Sequence, residues 1–335
     1  MQTQTQPVRR ISVIVPLYNE ADHIDALIAD LDAQDYDGDV EVLVADGGST
    51  DGSIPRLTQA ARKAGIDVTI LENRARWVSA GLNVCLERAS GDLIVRLDCH
   101  SRYPPDYLRR CATAAEETGA WNVGGVVVPR GRTAMERAVA CAMDSPFGGI
   151  GWTRHNSREE RIEVDTVTYG AFRPEAFERA GGFDESLIRN QDDELNARLR
   201  AVGGRIVLDP AIRVQYIPRG SFRGVFRQYS EYGFWKVPVM LKHRSVLSLR
   251  SLAPAVFVAS LAGLAALAPR NSTALKVLAA ELGAYGALAV VFGASSVKAR
   301  GDEWRLVPRT TAVFPAFHVG YGIGMLRGWL RAALS

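Results

Sequence analysis

Several features are scarce or missing in this 335-residue chain, and each absence excludes a class of protein. The four cysteines show no C-x-x-C spacing, so we expect reduced thiols rather than disulfides or a structural zinc site. No apolar run precedes the first predicted strand, so no signal peptide is expected. A net charge of only +3 does not indicate a general nucleic-acid binder. No G-x-G-x-x-G follows the first strand, which disfavours a dinucleotide-binding oxidoreductase.

Charge is distributed unevenly along the chain. Residues 246–335 hold nine Lys or Arg against three Asp or Glu, a net charge of +6. Residues 1–245 hold 31 against 34, a net charge of −3. With 47% hydrophobic residues, the chain is long enough to bury a sizeable core and is not a disordered protein. The contrast indicates a polar head and a more apolar tail in different solvents.

Strands and helices alternate over the first hundred residues. The predicted strands lie at 11–15, 40–45, 68–71 and 93–97. Helical periodicity fills the gaps between them, with Asn19 as the N-cap of the first helix. Short connections between such elements favour a parallel sheet. Ligands of parallel sheets bind beyond the carboxyl ends of the strands, where this sequence places Tyr18, Asp46 and Asp98.

The pattern beyond residue 100 is less regular. We expect helices at 105–118 and 192–202, strands at 121–128, 164–169, 206–208 and 212–216, and irregular structure at 130–162. An aromatic and basic segment, 222–241, suits a helix at a bilayer surface, with a packed core helix as the alternative.

Three apolar stretches in the tail predict membrane helices. They are Ser251–Ala268, Leu282–Val297 and Thr310–Leu326. Their Ala and Gly content favours close packing in lipid, and a soluble helical domain is the alternative. Three spans would put Arg327 and Arg331 outside, against the positive-inside rule, so the third stretch could be re-entrant or interfacial. We therefore expect two to three spans.

Three groups of polar residues suggest chemistry, and each has a plainer alternative. Asp46 lies in a Gly- and Ser-rich turn that could be an ordinary loop. On extended backbone, the side chains of Asp98 and His100 would point the same way and could reach one divalent cation. Otherwise Asp98 caps a turn and His100 is a surface residue. Asp192 and Asp193 begin a helix, where acids favour the macrodipole, but crowded carboxylates also suit a general base. Spacing alone does not say which acid it is.

Five ordered segments carry a family resemblance. They are Ile11-Ser-Val-Ile-Val-Pro-Leu-Tyr-Asn-Glu20, Val44-Ala-Asp-Gly-Gly-Ser-Thr-Asp51, Leu82-Asn83, Arg96-Leu-Asp-Cys-His100 and Gln191-Asp-Asp-Glu-Leu-Asn-Ala-Arg198. Together they resemble the family 2 inverting glycosyltransferases, over about residues 10–245. The D-x-H variant and the small tail are most similar to the succinoglycan glucosyltransferase group. The implied fold class is α/β, the GT-A nucleotide-sugar-binding fold with a mainly parallel twisted sheet flanked by helices, followed by a C-terminal α-helical membrane segment.

The resemblance also implies residue roles. The residues that would bind the nucleotide sugar are Pro16, Leu17, Tyr18, Glu20, Asp46 and Asp98. Asp98 and His100 would hold a divalent cation, Mg²⁺ or Mn²⁺, with His100 replacing the second acid of the usual D-x-D. Asp192 aligns with the catalytic base, although Gln191 departs from the family's Glu.

The function that the resemblance implies is transfer of a sugar from a nucleotide sugar, UDP-glucose or similar. The implied acceptor is a polyprenyl-diphosphate-linked saccharide of exopolysaccharide or cell-surface glycan synthesis. Residues 228–233 depart from the Q-x-x-R-W of processive members, which argues against a polymer synthase. A non-catalytic nucleotide-sugar-binding or scaffold subunit of a polysaccharide assembly complex is the alternative, and the intact Asp98 and Asp192 favour the enzyme.

The expected organisation follows from these predictions. A cytosolic GT-A domain would occupy 1–220, an amphipathic interfacial segment 221–245, and membrane-associated helices 246–335. The catalytic head would face the cytosol at the inner membrane.

Overall fold

The computed structural model describes residues 7–148, 159–244 and 249–334. The chain divides into two compact units. The first unit comprises Met1–Val128 and His155–Tyr216, and the second comprises Pro129–Arg154 and Ile217–Ser335. The domain boundaries that the sequence suggests at residues 220 and 245 stay a prediction.

One sheet of nine strands occurs in the described residues. The strands are β1 (Arg10–Leu17), β2 (Asp39–Asp46), β3 (Val68–Glu72), β4 (Leu93–Arg96), β5 (Ser101–Arg102), β6 (Asn122–Pro129), β7 (Ile162–Glu163), β8 (Ala171–Phe172) and β9 (Ile206–Tyr216). Their order is β3-β2-β1-β4-β8-β6-β9-β5, with β7 also on β9. The first four strands are parallel, as predicted, whereas β8 is antiparallel to β4 and β6, and β5 and β7 are antiparallel to β9.

Eleven α-helices accompany the sheet within the described ranges. They are α1 (Ala21–Asp32), α2 (Ser53–Ala64), α3 (Val78–Leu86), α4 (Tyr107–Thr118), α5 (Ala134–Asp144), α6 (Pro174–Ala180), α7 (Gln191–Ala201), α8 (Phe222–Lys242), α9 (Ala253–Leu267), α10 (Ser272–Ala299) and α11 (Val307–Leu334). Short 3-10 helices at Leu249–Leu252 and Trp304–Leu306 precede α9 and α11.

The central strand β1 explains the position of the core. Its run Ile11, Val13, Ile14 and Val15 is fully buried, without the alternation of a half-exposed strand. Such a continuous apolar run is typical of a parallel strand that is covered on both faces. In the register of the sheet, Leu17 pairs with Asp46, and Ile14 pairs with Arg96. The carboxyl ends of β1, β2 and β4 therefore lie side by side, as expected.

Three local predictions beyond residue 120 are wrong. Part of the supposedly irregular stretch forms α5, because Thr133 and Glu136 make a capping box at its start. Residues 149–158 lie outside the described residues. The strand expected at 164–169 does not form, and Tyr169 has a left-handed φ of 54°. The two short strands expected after residue 205 are one strand, β9, which continues through Pro210.

The predicted N-cap of α1 is also wrong. Glu20 occupies that position, and Asn19 has a left-handed φ of 54°. Instead of capping the helix, the Asn19 side chain accepts a hydrogen bond from Thr50 N at 2.9 Å, and its backbone N–H donates to Ser49 Oγ. Asn19 therefore ties the end of β1 to the loop after β2.

Helices α8 and α11 of the second unit approach closely through glycine. Gly320, Gly324 and Gly328 are spaced four residues apart on α11, so they share one face. A Cβ on Gly320 or Gly328 would lie 2.9 or 2.8 Å from a carbonyl oxygen of α8, and one on Gly324 would overlap the carbonyl oxygen of Ser230. Small residues at such spacing allow two helix backbones to come together.

The apolar tail contains two helical segments that are long and apolar enough to cross a membrane, by length and composition. Within the described part of the chain they are Leu249–Leu267 and Ser272–Ala299, with only 17% and 11% of their most apolar windows buried. The third predicted stretch lies in α11, many of whose residues are buried, and is not such a segment. By length and composition, two segments in the described residues therefore qualify as candidate spans.

Candidate active site

The loop after β2 is organised around Asp46. Its carboxylate accepts hydrogen bonds from Gly48 N and Ser49 N, both at 3.1 Å, and from Ser49 Oγ at 2.6 Å. A carboxylate has about four acceptor positions, so the loop uses most of the capacity of Asp46. Any ligand donor that binds Asp46 has to share these oxygens with the loop.

An aromatic ring is exposed beside this loop. Tyr18, at the end of β1, is 47% exposed and lies next to Gly47, where an added Cβ would be 3.2 Å from the ring. The guanidinium of Arg76 lies beside Gly48, and Arg76 has a left-handed φ of 65°. Sequence reasoning did not single out Arg76. Tyr18 and Arg76 thus place an exposed ring and a cation beside the loop after β2. The predicted pocket residue Leu17 is 2% exposed, so its side chain belongs to the core.

The backbone from Asp98 to Ser101 forms a turn and is not extended. Ser101 N donates to the Asp98 carbonyl oxygen at 3.1 Å, and the Tyr103 hydroxyl accepts from Asp98 N at 2.7 Å. The argument from alternating side chains therefore does not apply to Asp98 and His100. The ring nitrogen Nδ1 of His100 lies 3.8 Å from Glu20 Oε1.

Arg96 joins two carboxylates from distant parts of the chain. It is 5% exposed, and its Nε and Nη2 donate to Asp98 Oδ1 and Oδ2 at 3.0 and 3.2 Å. Its Nη1 donates to Asp192 Oδ1 at 2.6 Å. The structure thus brings Asp98 and Asp192 to one guanidinium. The plainer possibility, that the side chain of Asp98 caps a turn, does not describe these contacts.

Burial and the charge of Arg96 act in opposite directions on the two carboxylates. Burial raises the pKa of Asp192 above its usual value, and the charge of Arg96 offsets only part of that effect. Burial also acts to raise the pKa of Asp98, but nearby positive charge, that of Arg96 first, and the hydrogen bonds from Arg96 outweigh it, so this pKa is lowered. The pKa values of the two carboxylates are therefore shifted in opposite directions.

Asp193 points into a different network. Its Oδ1 accepts a hydrogen bond from Thr166 Oγ1 at 3.1 Å, and Thr166 in turn accepts from Asn196 Nδ2 at 2.9 Å. Asn196 Oδ1 accepts from Asn122 Nδ2 at 2.7 Å. The two adjacent acids at the start of α7 thus have different surroundings, a distinction that spacing could not make.

The capacity of the site for a cation depends on Asp98. Each of its oxygens accepts one hydrogen bond from Arg96 and keeps one further acceptor position. No cluster of three or more His, Cys, Asp or Glu side chains suited to a metal occurs in the described ranges. Oxygens of a bound ligand would have to complete the coordination shell.

A sequence signal for Arg96 existed. It is the one charged residue in the otherwise apolar run Leu93–Leu97. An arginine inside a buried strand requires a buried partner, since an unpaired charge is expensive to desolvate. The partners could not be named in advance, because Asp192 lies 96 residues further along the chain.

The sheet with its four parallel strands, the cluster at their carboxyl ends and a family match define the class of the protein. The family model described as "Glycosyl transferase family 2" matches residues 12–179. The chain belongs to glycosyltransferase family 2, and it is an enzyme of that class.

Two curated relatives extend the match. The chain is 34% identical over 247 residues to the succinoglycan biosynthesis protein ExoA of Rhizobium meliloti (strain 1021), covering 72% of this chain and 73% of that protein. It is 25% identical to the dolichyl N-acetyl-alpha-D-glucosaminyl phosphate 3-beta-D-2,3-diacetamido-2,3-dideoxy-beta-D-glucuronosyltransferase of Methanococcus voltae, covering 67% and 71%. The predicted family and enzyme class are confirmed.

A solved structure shares the fold. The mannosyltransferase PcManGT from Pyrobaculum calidifontis, in complex with GDP-Man and Mn²⁺, aligns with a TM-score of 0.65 at 24% identity. The alignment covers 96% of this chain and 88% of that chain. The predicted GT-A fold class is confirmed.

Proposed function

We propose that this enzyme transfers a sugar from a UDP-sugar, UDP-glucose or similar, to a polyprenyl-diphosphate-linked saccharide, with inversion at the anomeric carbon. The observation that carries the proposal is the pair of carboxylates, Asp98 and Asp192, on the guanidinium of Arg96. One acid would act at the donor diphosphate and the other at the acceptor hydroxyl. The similarity to a succinoglycan biosynthesis protein and to a dolichyl phosphate-linked sugar transferase supports this substrate class.

Asp192 is the general base of this proposal. Its Oδ1 is held by Arg96, and no other described residue hydrogen-bonds its carboxylate, so Oδ2 is available for the acceptor. Oδ2 takes the proton of the acceptor hydroxyl as the acceptor oxygen attacks the anomeric carbon. The bond from that carbon to the diphosphate oxygen breaks, and the nucleoside diphosphate leaves. Because a single displacement inverts the centre, an α-linked donor gives a β-linked product.

Asp98 and His100 are the proposed holders of a divalent cation, Mg²⁺ or Mn²⁺. Asp98 keeps acceptor positions for it, and His100 offers a ring nitrogen in place of a second carboxylate. When bound, the ion neutralises charge that develops on the departing diphosphate. A neutral His gives the site one negative charge less than an Asp would, which weakens metal affinity or favours a softer ion such as Mn²⁺. The complex of the structural neighbour with Mn²⁺ supports a cation in this fold.

The nucleotide would bind at the edge formed by β1 and β2. The exposed ring of Tyr18 suits stacking on the base, while Pro16 and the backbone of Leu17 form the adjacent wall. Asp46 and Glu20 are the proposed polar contacts, with Asp46 accepting from the uracil imide alongside its loop hydrogen bonds.

Membrane association completes the proposal. Large apolar side chains are exposed along α9 and α10, for example Val256 at 65%, Leu282 at 50% and Val291 at 61%. We infer that the catalytic head faces the cytosol at the inner membrane, where lipid-linked acceptors are within reach. The exposed Phe222 and Phe226 of α8 agree with an interfacial segment at 221–245 between a domain at 1–220 and membrane-associated helices at 246–335.

A donor panel tests the proposal. Thermal unfolding of the full chain in detergent is followed with UDP-glucose, UDP-galactose, UDP-N-acetylglucosamine and GDP-mannose, each with Mn²⁺, Mg²⁺ or EDTA. A UDP-sugar with Mn²⁺ is expected to raise the unfolding midpoint most, and transfer to a polyprenyl-diphosphate-linked saccharide is then measured with that donor. Stabilisation by GDP-mannose alone, or absence of transfer to any lipid-linked acceptor, would contradict the proposal.

Asp98→Ala separates the cation from the nucleotide in the same assay. We expect this variant to lose the stimulation of UDP binding by Mn²⁺, because the main oxygen ligand is gone. Asp92→Ala is the matched control, since Asp92 lies at the opposite end of β4 and its carboxylate accepts from Arg9 N and Arg10 N. Metal-stimulated UDP binding in Asp98→Ala equal to that of the unsubstituted chain would remove Asp98 from the cation site.

A further inference from the structure

The geometry around Arg96 carries more than an ion pair. Three separate N–H groups of one planar guanidinium point to two carboxylates, two at Asp98 and one at Asp192. Asp98 lies two residues after Arg96 in the chain, whereas Asp192 lies 96 residues after it, in the first turn of α7. The fork shape of a guanidinium fixes the directions of its partners, which an ammonium cannot do.

Stability alone does not account for this arrangement. Arg96 is 5% exposed, and it faces two largely buried acids. Buried ion pairs are often no more stabilising than apolar residues of the same volume. A buried ion cluster is therefore a poor means of holding a sheet together. What it does provide is a fixed distance and orientation between two carboxylates.

We propose that Arg96 is a positioning residue that holds the base Asp192 at a fixed distance and orientation from the donor-binding Asp98. This inference rests on the proposed function. Arg96 touches neither the donor nor the acceptor in this role. It takes up Oδ1 of Asp192 and thereby directs Oδ2 to the acceptor. It also keeps Asp192 apart from the Thr166 network that holds the neighbouring Asp193.

The test uses Arg96→Lys, which keeps the positive charge but loses the fork. We expect kcat to fall by about 10²-fold, the effect of misplacing a catalytic group by about 1 Å, with little change in the KM of the donor. Arg173→Lys is the matched control. Arg173 is another buried arginine, 7% exposed, which donates to the Ala115 carbonyl oxygen outside the site.

A double-mutant cycle separates positioning from general support. If Arg96 acts through Asp192, Arg96→Lys should cause little further loss of transfer in an Asp192→Asn background. Arg173→Lys should change transfer by the same factor in both backgrounds. If Arg96→Lys lowers transfer by the same factor with Asp192 and with Asn at that position, the inference is overturned, even when the single variant is defective.

A second variant, Arg96→Ala, tests the inference if Arg96→Lys does not fold. If Arg96→Lys does not give a cooperative thermal transition, Arg96→Ala is assayed with and without added methylguanidinium, which can occupy the vacated space. Recovery of transfer by methylguanidinium, but not by methylammonium, supports the positioning role. Equal recovery by both ions, or by neither, would overturn it, because a planar fork is what the role requires.

The outcomes distinguish this inference from the proposed function. Failure of the proposed function appears as normal transfer by Asp192→Asn or as absence of transfer by the unsubstituted chain, and it removes this inference too. Failure of this inference alone appears as normal transfer by Arg96→Lys beside a defective Asp192→Asn.

Discussion

The two units of the chain place charge and apolar surface in opposite ways. In the first unit, Arg96 is buried at the carboxyl end of β4, and the side chains of Asp98 and Asp192 are partly buried beside it. In the second unit, large apolar side chains such as Leu288 and Val291 lie exposed along α10. Removing a charge from water costs free energy, and so does exposing apolar surface to water. Each unit therefore contains one feature that would be unfavourable in an ordinary water-soluble domain.

The difference agrees with the proposal that the second unit lies in a membrane. The first unit buries charged side chains at several places, and the chemistry is proposed at one of them, around Arg96. The second unit exposes its apolar residues where a lipid solvent would remove the cost. Where its helices α8 and α11 meet, they rely on glycine and backbone contact, the means by which helices associate without a hydrophobic driving force between them.

The largest expected effect concerns the buried charge of the first unit. Asp192→Asn should retain UDP binding and lose transfer by about 10²–10⁴-fold, because the amide cannot take the acceptor proton. The amide is nearly isosteric, so the fold should survive. The measurement is the rate of transfer to a lipid-linked acceptor, together with UDP affinity.

Asp193→Asn is the matched control for that variant. Its neighbouring carboxylate accepts from Thr166 and does not contact Arg96 in the structure, so its loss should cost little transfer. A severe defect in Asp193→Asn with near-normal transfer by Asp192→Asn would move the base by one residue.

The next effect tests the exposed apolar surface of the second unit. Leu288→Lys should weaken membrane insertion of α10 by about 2.5–3.5 kcal/mol, the cost of a charge near the middle of a spanning helix. Ile70→Lys in the first unit is the control. Ile70 is 39% exposed on the edge strand β3, so the change there should stay within about 0.5 kcal/mol.

Resistance of the full chain to extraction from membranes by alkaline carbonate measures both variants. The two lysines should behave differently if the units lie in different solvents. Complete retention of Leu288→Lys in membranes would contradict a lipid-facing Leu288 in a spanning α10. Recovery of the unsubstituted chain in the soluble fraction without detergent would end the membrane interpretation.

A smaller effect concerns packing inside the second unit. Gly324→Val should destabilise α8 against α11 by about 1–3 kcal/mol, because the new side chain overlaps the carbonyl oxygen of Ser230. Gly283→Ala on α10 is the control, since nothing lies within 4 Å of its added Cβ. It should leave stability unchanged or raise it by up to about 1 kcal/mol. Thermal unfolding in detergent compares them, and equal midpoints would argue against close glycine packing.

The smallest effect returns to charge in the first unit, at Glu41 of β2. Burial acts to raise the pKa of this carboxylate, but hydrogen bonds from Ser12 and Ser90 have the larger opposite effect. The pKa of Glu41 is therefore lower than usual. A lowered pKa stabilises the fold above the ordinary pKa, and this stability is lost as pH falls through the folded value. Glu41→Gln should therefore cost about 1 kcal/mol at pH 7 and almost nothing in acid. A cost that does not change between pH 7 and acid would contradict this assignment.

The sequence predicted much of the first unit because its signals are local. The β-branched runs and short connections predict four parallel strands, and the carboxyl-end rule brings Tyr18, Asp46 and Asp98 to one edge. The prediction of a strand at 164–169 failed because the left-handed backbone of Tyr169 is set by its surroundings rather than by its residue type.

The sequence by itself determined the family and the sheet edge, and it predicted three apolar stretches as membrane helices, since motifs and hydropathy are read along the chain. Only the tertiary structure decided which apolar stretch is buried, because α11 looks like a membrane helix in sequence yet packs its glycines on α8. Only the tertiary structure joined Asp98 to Asp192 through Arg96, because contacts between residues 96 positions apart leave no mark on local pattern.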